Sequence, residues 1–189
     1  MTRSFTDQPL PPRVLEQLVD LASRAPSAGK TQGWHVVVLE GGDKERFWDI
    51  TLPVERRASF VWPGLLLAPT VLLPFANPGD YVARYSEPDK AATGLGRGVN
   101  AWPTPYWTID ASMALMTLLL AAQDAGLGSL LFGVFRGEAE LRAALNVPPD
   151  LVLLGAVALG FPAETPSSPG RSATRERRTP TQILRRPTW

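Results

Sequence analysis

The stretch TIDASMALMTLLLAAQDAGLG, residues 108–128, decides the fold, because it predicts a helix with no polar face. A surface helix normally has an apolar stripe on one side and polar residues on the other. Here apolar side chains occupy nearly every position between 110 and 125, and Gly126 or Gly128 ends the helix. Such a helix must be central, either in a large core or in a subunit interface.

Helices and apolar strands alternate on both sides of this helix. Residues 11–25 have helical spacing, and WHVVVLEGG, residues 34–42, is predicted to be a strand buried on both faces. A short helix beginning at Asp43 and a second buried strand at 70–75 follow. Beyond the central helix the pattern predicts a strand, a charged helix and another strand, at residues 129–135, 137–148 and 150–164. The alternation indicates an α/β class, with helices packed against a sheet.

The composition narrows the classes of function. Nineteen basic residues against 18 acidic ones leave a net charge of +1, so charge favours neither nucleic acid nor a membrane as partner. The absence of cysteine excludes disulfides and thiolate chemistry, and the single histidine, His35, disfavours a metal site or a Ser-His-Asp triad. The first residues are polar, and the longest apolar run is too short to span a bilayer. We therefore expect a cytoplasmic protein without a metal.

The chain is predicted to form a single domain over residues 1–189. Three segments interrupt its alternation of helices and strands. The connection before the first strand, SRAPSAGKTQG, is longer than the roughly 2 to 6 residues that such a link needs, and it offers hydroxyls and a lysine to a ligand. Residues from about 78 to 107 are rich in glycine, proline and large aromatics, which is typical of a lid or a binding loop. Residues from about 165 to 189 form a basic tail.

Four segments, in order, resemble the nitroreductase family of flavoproteins. RAPSAGKTQGWHVVVLEG resembles the family's Pro-Ser-Ser/Ala-x-Asn-x-Gln-Pro-Trp segment, and AAQDAGLGSLLFGVF resembles the passage from its central helix into a flavin-contacting strand. LNVPPDLVLLGAVALGFPAE is similar to its Leu-x-Leu-Pro…Gly-Tyr-Pro-Ala-Glu strand, and RERRTPTQIL is similar to the basic tail that follows. The resemblance covers most of residues 3–185, and the lid is its least similar part.

The resemblance implies an α+β fold, a three-layer sandwich whose central mixed or antiparallel sheet is flanked by helices. It also implies a domain-swapped homodimer, in which the all-apolar helix is the buried dimer helix and two FMN molecules lie at the subunit interface. NADH or NADPH would deliver hydride to flavin N5. A nitroaromatic, a quinone or a similar small molecule would then take the electrons, in a ping-pong scheme.

The same resemblance implies which residues hold the flavin. Five of them match the loop that borders its polar edge: Pro26, Ser27, Ala28, Lys30 and Gln32. Three match the strand end that packs on its ring: Leu131, Phe132 and Gly133. The Gly133 backbone N–H would lie at N5 and hold that atom in the geometry for transfer, which makes Gly133 the predicted catalytic residue.

Positive charge for the FMN phosphate is implied in the basic tail, because arginine suits the forked geometry of a phosphate. Arg178 is the first choice, followed by Arg177 and then Arg175, and a solvated tail is the alternative. Only the last residue of the family's N-terminal Arg-x-Ser-x-Arg pattern has a counterpart here, Arg3. We expect Arg3 near the pyrimidine edge of the flavin.

Two departures from the family pattern keep other functions open. Lys30 stands where the family has Asn, and Gly33 stands where it has Pro. A flavin-binding protein that sequesters FMN without turnover is the second interpretation. A specialised chemistry, namely reductive dehalogenation, oxygen-dependent flavin destruction or use of a deazaflavin, is the third.

The lid contains candidate substrate residues of basic and aromatic type: Arg84, Tyr85, Trp102, Tyr106 and Trp107. Such side chains stack well on a flat substrate. They are equally suited to packing as the rim of a dimer interface. The sequence leaves these two roles open.

Overall fold

The computed structural model describes residues 1–164, 169–170 and 172–186, so parts of the predicted tail (165–168, 171 and 187–189) lie outside the described residues. Five strands form one sheet: β1 (Trp34–Glu40), β2 (Thr70–Ala76), β3 (Gly128–Phe132), β4 (Val152–Leu153) and β5 (Ala156–Gly160). Their order is β1-β2-β5-β3, with β4 also paired to β2. Every pairing between these strands is antiparallel.

Helices cover both faces of this sheet. The α-helices of the described residues are α1 (Val14–Ala22), α2 (Gly41–Thr51), α3 (Val54–Arg57), α4 (Pro78–Ser86), α5 (Tyr106–Asp124), α6 (Glu138–Ala144) and α7 (Pro180–Ile183), of which α7 lies in the exposed tail. One core lies between the sheet and helices α2 and α6, and it contains Phe47, Leu141 and Phe75. A second core lies between the opposite face and helices α1 and α5, and it contains Leu18, Leu118, Leu72 and Val157. The predicted three-layer α+β sandwich is confirmed.

The prediction that the first strand is buried on both faces is wrong. β1 lies at the edge of the sheet, and among its residues only Leu39 is buried, whereas Val38 is exposed. β2 is the strand with both faces covered, because all seven of its residues are buried. An uninterrupted apolar run shows that a strand is hydrophobic, but it does not show where that strand lies in the sheet.

Three predicted boundaries are also corrected. α2 begins at Gly41, directly after β1, and not at Asp43. The strand predicted at 129–135 ends at Phe132. The strand predicted at 150–164 is divided into β4 and β5 at Gly155, whose φ of 134° is a conformation that only glycine adopts readily. The glycine therefore marks an interruption that the apolar pattern alone does not reveal.

The predicted lid is more regular than its sequence indicates. Asn77 caps α4 by accepting a hydrogen bond from the Gly79 amide at 3.0 Å, and Pro78 occupies the first helical position. Three short 3₁₀ turns follow between residues 91 and 101. Tyr81 and Trp102 then join Trp107 of α5 in a third small core.

The all-apolar helix is present as α5, but the described residues cover it on one side only. The buried side packs on the sheet and α1. The other side forms an exposed stripe, in which Met116 is 52% exposed and Leu120 is 59% exposed. Over the part of the chain that the structure describes, no helix is long and apolar enough to cross a membrane. The predicted dimer role of this helix stays a prediction.

Candidate flavin site

A cavity of about 310 Å³ opens where β3 ends. Two of the predicted ring-packing residues, Phe132 and Gly133, lie in its wall. The third, Leu131, points to a neighbouring groove beside α5, as expected for alternate residues of a strand. Aromatic rings form much of the cavity wall: Phe47, Trp48, Phe60, Trp62, Phe132 and Phe135. Its size lies at the lower end of the range of about 300–1,000 Å³ for small-molecule pockets.

The end of β3 is fixed by packing on both sides. Phe132 makes the last pair of the β3–β5 ladder, with Ala156, and the chain opposite then turns away at Gly155. A Cβ atom on Gly155 would lie 2.7 Å from the Phe132 carbonyl oxygen, so this close approach requires glycine. The Phe132 ring stacks on Trp48 at 5.7 Å between centroids and 5° between planes. Gly133 therefore follows a strand end that is held in place.

Gly133 lies at the mouth of the cavity under the ring of Phe135. A Cβ atom on Gly133 would come within 2.5 Å of that ring, so the absence of a side chain lets Phe135 lie against the backbone. Phe135 itself is 94% exposed, which is unusual for a ring of this size. An apolar cavity with aromatic walls suits the isoalloxazine ring of a flavin.

Two arginines bring positive charge to this cavity. The Arg3 guanidinium carbon lies 5.2 Å from the ring centroid of Trp62, a wall residue. The segment around Arg3 is fixed, because the Thr2 amide donates to the Ser129 carbonyl at 3.0 Å. Arg136 lines the cavity directly and makes no ion pair within the described residues. Sequence reasoning missed Arg136, although it follows the predicted flavin strand immediately.

The predicted flavin loop, residues 26–32, lines a second cavity of about 520 Å³ beside α1. The Ala28 amide donates to the Asp110 carboxylate at 2.7 Å, so this predicted donor is already engaged. The Ser27 hydroxyl accepts from the Gln32 amide at 3.1 Å and keeps its own proton for another partner. Gln32 also donates from its side chain to the Ser23 carbonyl at 2.9 Å. The Lys30 side chain is exposed at this cavity.

Asp110 is a site residue that the sequence did not nominate. It lies in α5, is only 5% exposed, and accepts hydrogen bonds from two distant parts of the chain. The second donor is the Tyr81 hydroxyl, at 2.8 Å. Burial, and then the hydrogen bond to Asp110, raises the pKa of Tyr81 above its usual value of 10.0. Aspartate is seldom this deeply buried unless it is paired, so its two hydrogen bonds indicate a specific structural or functional role.

The tyrosine also explains one departure from the family pattern. A Cβ atom on Gly33 would lie 2.7 Å from the Tyr81 ring. A proline at this position would collide with that ring, so Gly33 and Tyr81 are mutually dependent.

The candidate substrate residues of the lid are mostly engaged within the subunit. Trp102 and Trp107 are buried, and Tyr85 packs edge-on against Trp102 at 4.7 Å. Arg84 donates to the Gly29 carbonyl at 2.9 Å and to Asp89 at 2.7 and 2.8 Å. Tyr106 is exposed. Their predicted contact with substrate stays a prediction.

The predicted phosphate ligands lie on an exposed tail. Arg175, Arg177 and Arg178 are all exposed, and Arg178 donates to the Gln182 carbonyl. The start of the tail lies at Arg3, because a Cβ atom on Gly170 would be 3.0 Å from the Arg3 guanidinium. The structure thus places the start of the tail beside Arg3, which itself lies against Trp62 of the cavity wall.

A model of the nitroreductase family matches residues 1–161 of the 189 residues. The chain belongs to the nitroreductase family. The prediction of an oxidoreductase is thereby confirmed.

Individual relatives are consistent with this membership. A putative NADH dehydrogenase/NAD(P)H nitroreductase of Archaeoglobus fulgidus is 26% identical over 165 residues, which cover 86% of this chain and 80% of the relative. An NAD(P)H-dependent FMN reductase of Bacillus subtilis is 29% identical over 163 residues, covering 86% and 62%. The crystal structure of a nitroreductase family protein from Streptococcus pneumoniae superposes with a TM-score of 0.69 at 17% identity, covering 97% and 92%. This last likeness supports the fold.

Proposed function

We propose that this nitroreductase-family protein is an FMN-dependent oxidoreductase that oxidises NADH or NADPH and reduces a small aromatic acceptor, such as a nitroaromatic or a quinone. The observation that carries the proposal is the aromatic-walled cavity at Gly133, with Arg3 and Arg136 beside it. Its chemistry fits FMN, whose ring is flat and apolar and whose phosphate is anionic. The similarity to an FMN reductase supports the choice of cofactor.

Each part of the site has a distinct task in this proposal. Bound FMN supplies the atom that accepts and returns hydride. The cavity wall holds the ring and excludes water, while the Gly133 amide orients the reacting edge. Arg178 provides charge for the phosphate, and Arg3 provides charge at the pyrimidine edge of the ring. The aromatic wall also favours flat acceptors, because these stack well on other rings.

We further propose that the active unit is a homodimer. The exposed stripe of α5, with Met116 and Leu120, is an apolar surface that a second subunit would cover. The loop at 26–32 and Gly133 line different cavities of one subunit. In a dimer, the loop of one subunit would border the flavin held at Gly133 of the other.

The test begins with the purified protein. We expect a yellow protein whose released cofactor has the mass of FMN. Anaerobic addition of NADH or NADPH should bleach the flavin absorbance, and a nitroaromatic or a quinone should restore it. Recovery of FAD alone, or of no flavin after reconstitution, would contradict the proposal. Bound FMN that stays oxidised with both nucleotides would instead support a protein that sequesters the cofactor.

A further inference from the structure

The loop at 26–32 has a backbone shape that its own residues do not favour. Gly29, Lys30 and Gln32 have φ values of 63°, 56° and 54°. Lysine and glutamine are uncommon in this region of φ, because their side chains are strained there. A conformation of this kind persists only when surrounding groups hold it in place.

Two side chains from distant parts of the chain hold the loop. The Asp110 carboxylate accepts from the Ala28 amide at 2.7 Å, immediately before the strained residues. Arg84 donates to the Gly29 carbonyl at 2.9 Å. Asp110 is fixed in turn by the Tyr81 hydroxyl, which donates to the same carboxylate oxygen at 2.8 Å. The loop is therefore bonded to α5 through Asp110 and to α4 through Arg84. Tyr81 of α4 also bonds to Asp110 and links the two helices.

We propose that Asp110, supported by Tyr81, is a positioning residue that holds the loop in its strained shape, so that the Ser27 hydroxyl meets the polar edge of the flavin. This inference rests on the proposed function, because it concerns the loop that borders FMN. Asp110 does not itself contact the cofactor. One carboxylate oxygen of Asp110 accepts from the part-buried Ala28 amide and from the buried Tyr81 hydroxyl, and the charge of the carboxylate makes these bonds strong.

The variants differ in how many of the hydrogen bonds at Asp110 they remove. Asp110→Leu keeps the approximate volume but leaves the Ala28 amide and the Tyr81 hydroxyl without their acceptor. Asp110→Asn keeps one oxygen with two lone pairs, so it should restore part of the function. Tyr81→Phe removes one donor and preserves the ring that packs on Trp102. Thr70→Val is the matched control, because it removes the hydrogen bond that the buried Thr70 hydroxyl donates to Glu40 at 2.7 Å, elsewhere in the sheet.

The first measurement needs no flavin. Lys30 is an exposed trypsin site inside the strained loop, and cleavage after it can be followed by mass in the apoprotein. We expect cleavage to be about tenfold faster in Asp110→Leu and about threefold faster in Asp110→Asn and Tyr81→Phe, since local opening follows the loss of the bonds that oppose it. Thr70→Val should lower the melting temperature and leave this rate unchanged.

The second measurement uses the flavoprotein. Asp110→Leu should weaken FMN binding by about tenfold and shift the visible spectrum of the bound flavin, with partial recovery in Asp110→Asn. Thr70→Val should change neither. If Asp110→Leu loses stability as Thr70→Val does, with the loop cleavage rate, the FMN affinity and the spectrum unchanged, Asp110 has only a structural role and the proposal is overturned.

Two further results would separate a failure of folding from a failure of the proposed function. If Asp110→Leu does not fold, Tyr81→Phe decides, and an unchanged cleavage rate and FMN affinity in that variant would overturn the proposal. A wild-type protein that binds no flavin would refute the proposed function itself. Normal flavin binding in all Asp110 variants would refute only the positioning role.

Discussion

The loop at residues 26–32 and the tail at residues 172–186 are both predicted to touch the same cofactor, but the structure builds them in opposite ways. The loop is bonded to two helices, because Asp110 accepts from Ala28 and Arg84 donates to Gly29. Residues 172–186 are all exposed, and Arg178 bonds within the tail itself. One segment has its shape before the ligand arrives, and we expect the other to take its bound shape with the ligand.

We therefore expect the loop and the tail to contribute differently to flavin binding. A preformed loop loses little conformational freedom on binding, so its contacts provide geometry. Ordering a flexible tail costs about 0.5–1.5 kcal/mol for each immobilised long side chain. The tail must recover that cost through charge, since bonds between arginine and phosphate are among the strong ones. We therefore expect changes in the loop to alter the position of the ring, and changes in the tail to alter recognition of the phosphate.

The largest effect is expected from a change that separates both segments from the flavin at once. Leu120→Asp places a charge on the exposed stripe of α5. Leu120 is 59% exposed in one subunit, so the change should be harmless to a monomer. In a dimer it would bury an unpaired charge, at a cost of several kcal/mol. We expect dissociation and loss of FMN together, measured by sedimentation velocity and flavin absorbance.

A matched control is available on a different surface. Val54 of α3 is as exposed as Leu120, and Val54→Asp should leave the assembly and the flavin unchanged. A wild-type protein that sediments as a monomer, or a Leu120→Asp dimer with its full complement of FMN, would contradict the dimer proposal.

The second effect isolates the tail. Arg178→Ala removes a charge-assisted bond of about 1.5–3 kcal/mol if Arg178 holds the phosphate. FMN affinity should then fall roughly 10- to 150-fold, whereas riboflavin, which has the same ring and no phosphate, should bind nearly as before. Both affinities can be measured by titration of the apoprotein. Arg186→Ala, in the same exposed tail, is the control. Equal losses for the two flavins would exclude Arg178 as the phosphate ligand.

The third effect follows the ordering of the tail directly. Trypsin should cleave after Arg175, Arg177 and Arg178 much sooner than after Lys30, because the tail is exposed and the loop is anchored. Saturating FMN should slow the tail cleavages by about tenfold, since a bound side chain must first be released. Riboflavin should protect them less. Tail cleavage that is indifferent to FMN would mean that the tail does not contact the cofactor.

The sequence predicted those features that depend on local pattern. The central helix was evident from its continuous apolar composition, and β3 was evident as a strand although its end was placed three residues too late. Helix α4 was missed because residues from about 78 to 107 are predicted to be a lid or a binding loop, although Asn followed by Pro also starts a helix, as Asn77 and Pro78 do here. The sequence therefore contained the signal for the start of this helix, but the signal was not recognised.

The anchors of the loop were not accessible from local pattern. Ala28 and Asp110 are 82 residues apart, and a single aspartate in an apolar helix gives no indication of its partner. The edge position of β1 was equally hidden, because strand order is a property of the whole sheet. Resemblance thus predicted ring-packing residues and phosphate ligands, and these stay predictions, but no feature of the sequence indicated the residues that give the loop its shape.

The smallest expected effect concerns Arg84, the second side chain that holds the loop. It is a pH dependence of the melting temperature. Arg84 bonds both the Gly29 carbonyl and the Asp89 carboxylate. The hydrogen bond from Arg84 holds the pKa of Asp89 below its usual value of 3.8. Because the folded-state pKa is the lower one, the pair stabilises the fold above the unfolded pKa, and this contribution is lost as the pH falls through the folded value. Wild type should therefore melt slightly above Asp89→Asn at pH 6, and the difference should shrink below about pH 4. Glu176→Gln, in the tail, should show no such convergence. A gap between wild type and Asp89→Asn that stays constant from pH 6 to pH 3 would mean that the ion pair does not contribute to stability.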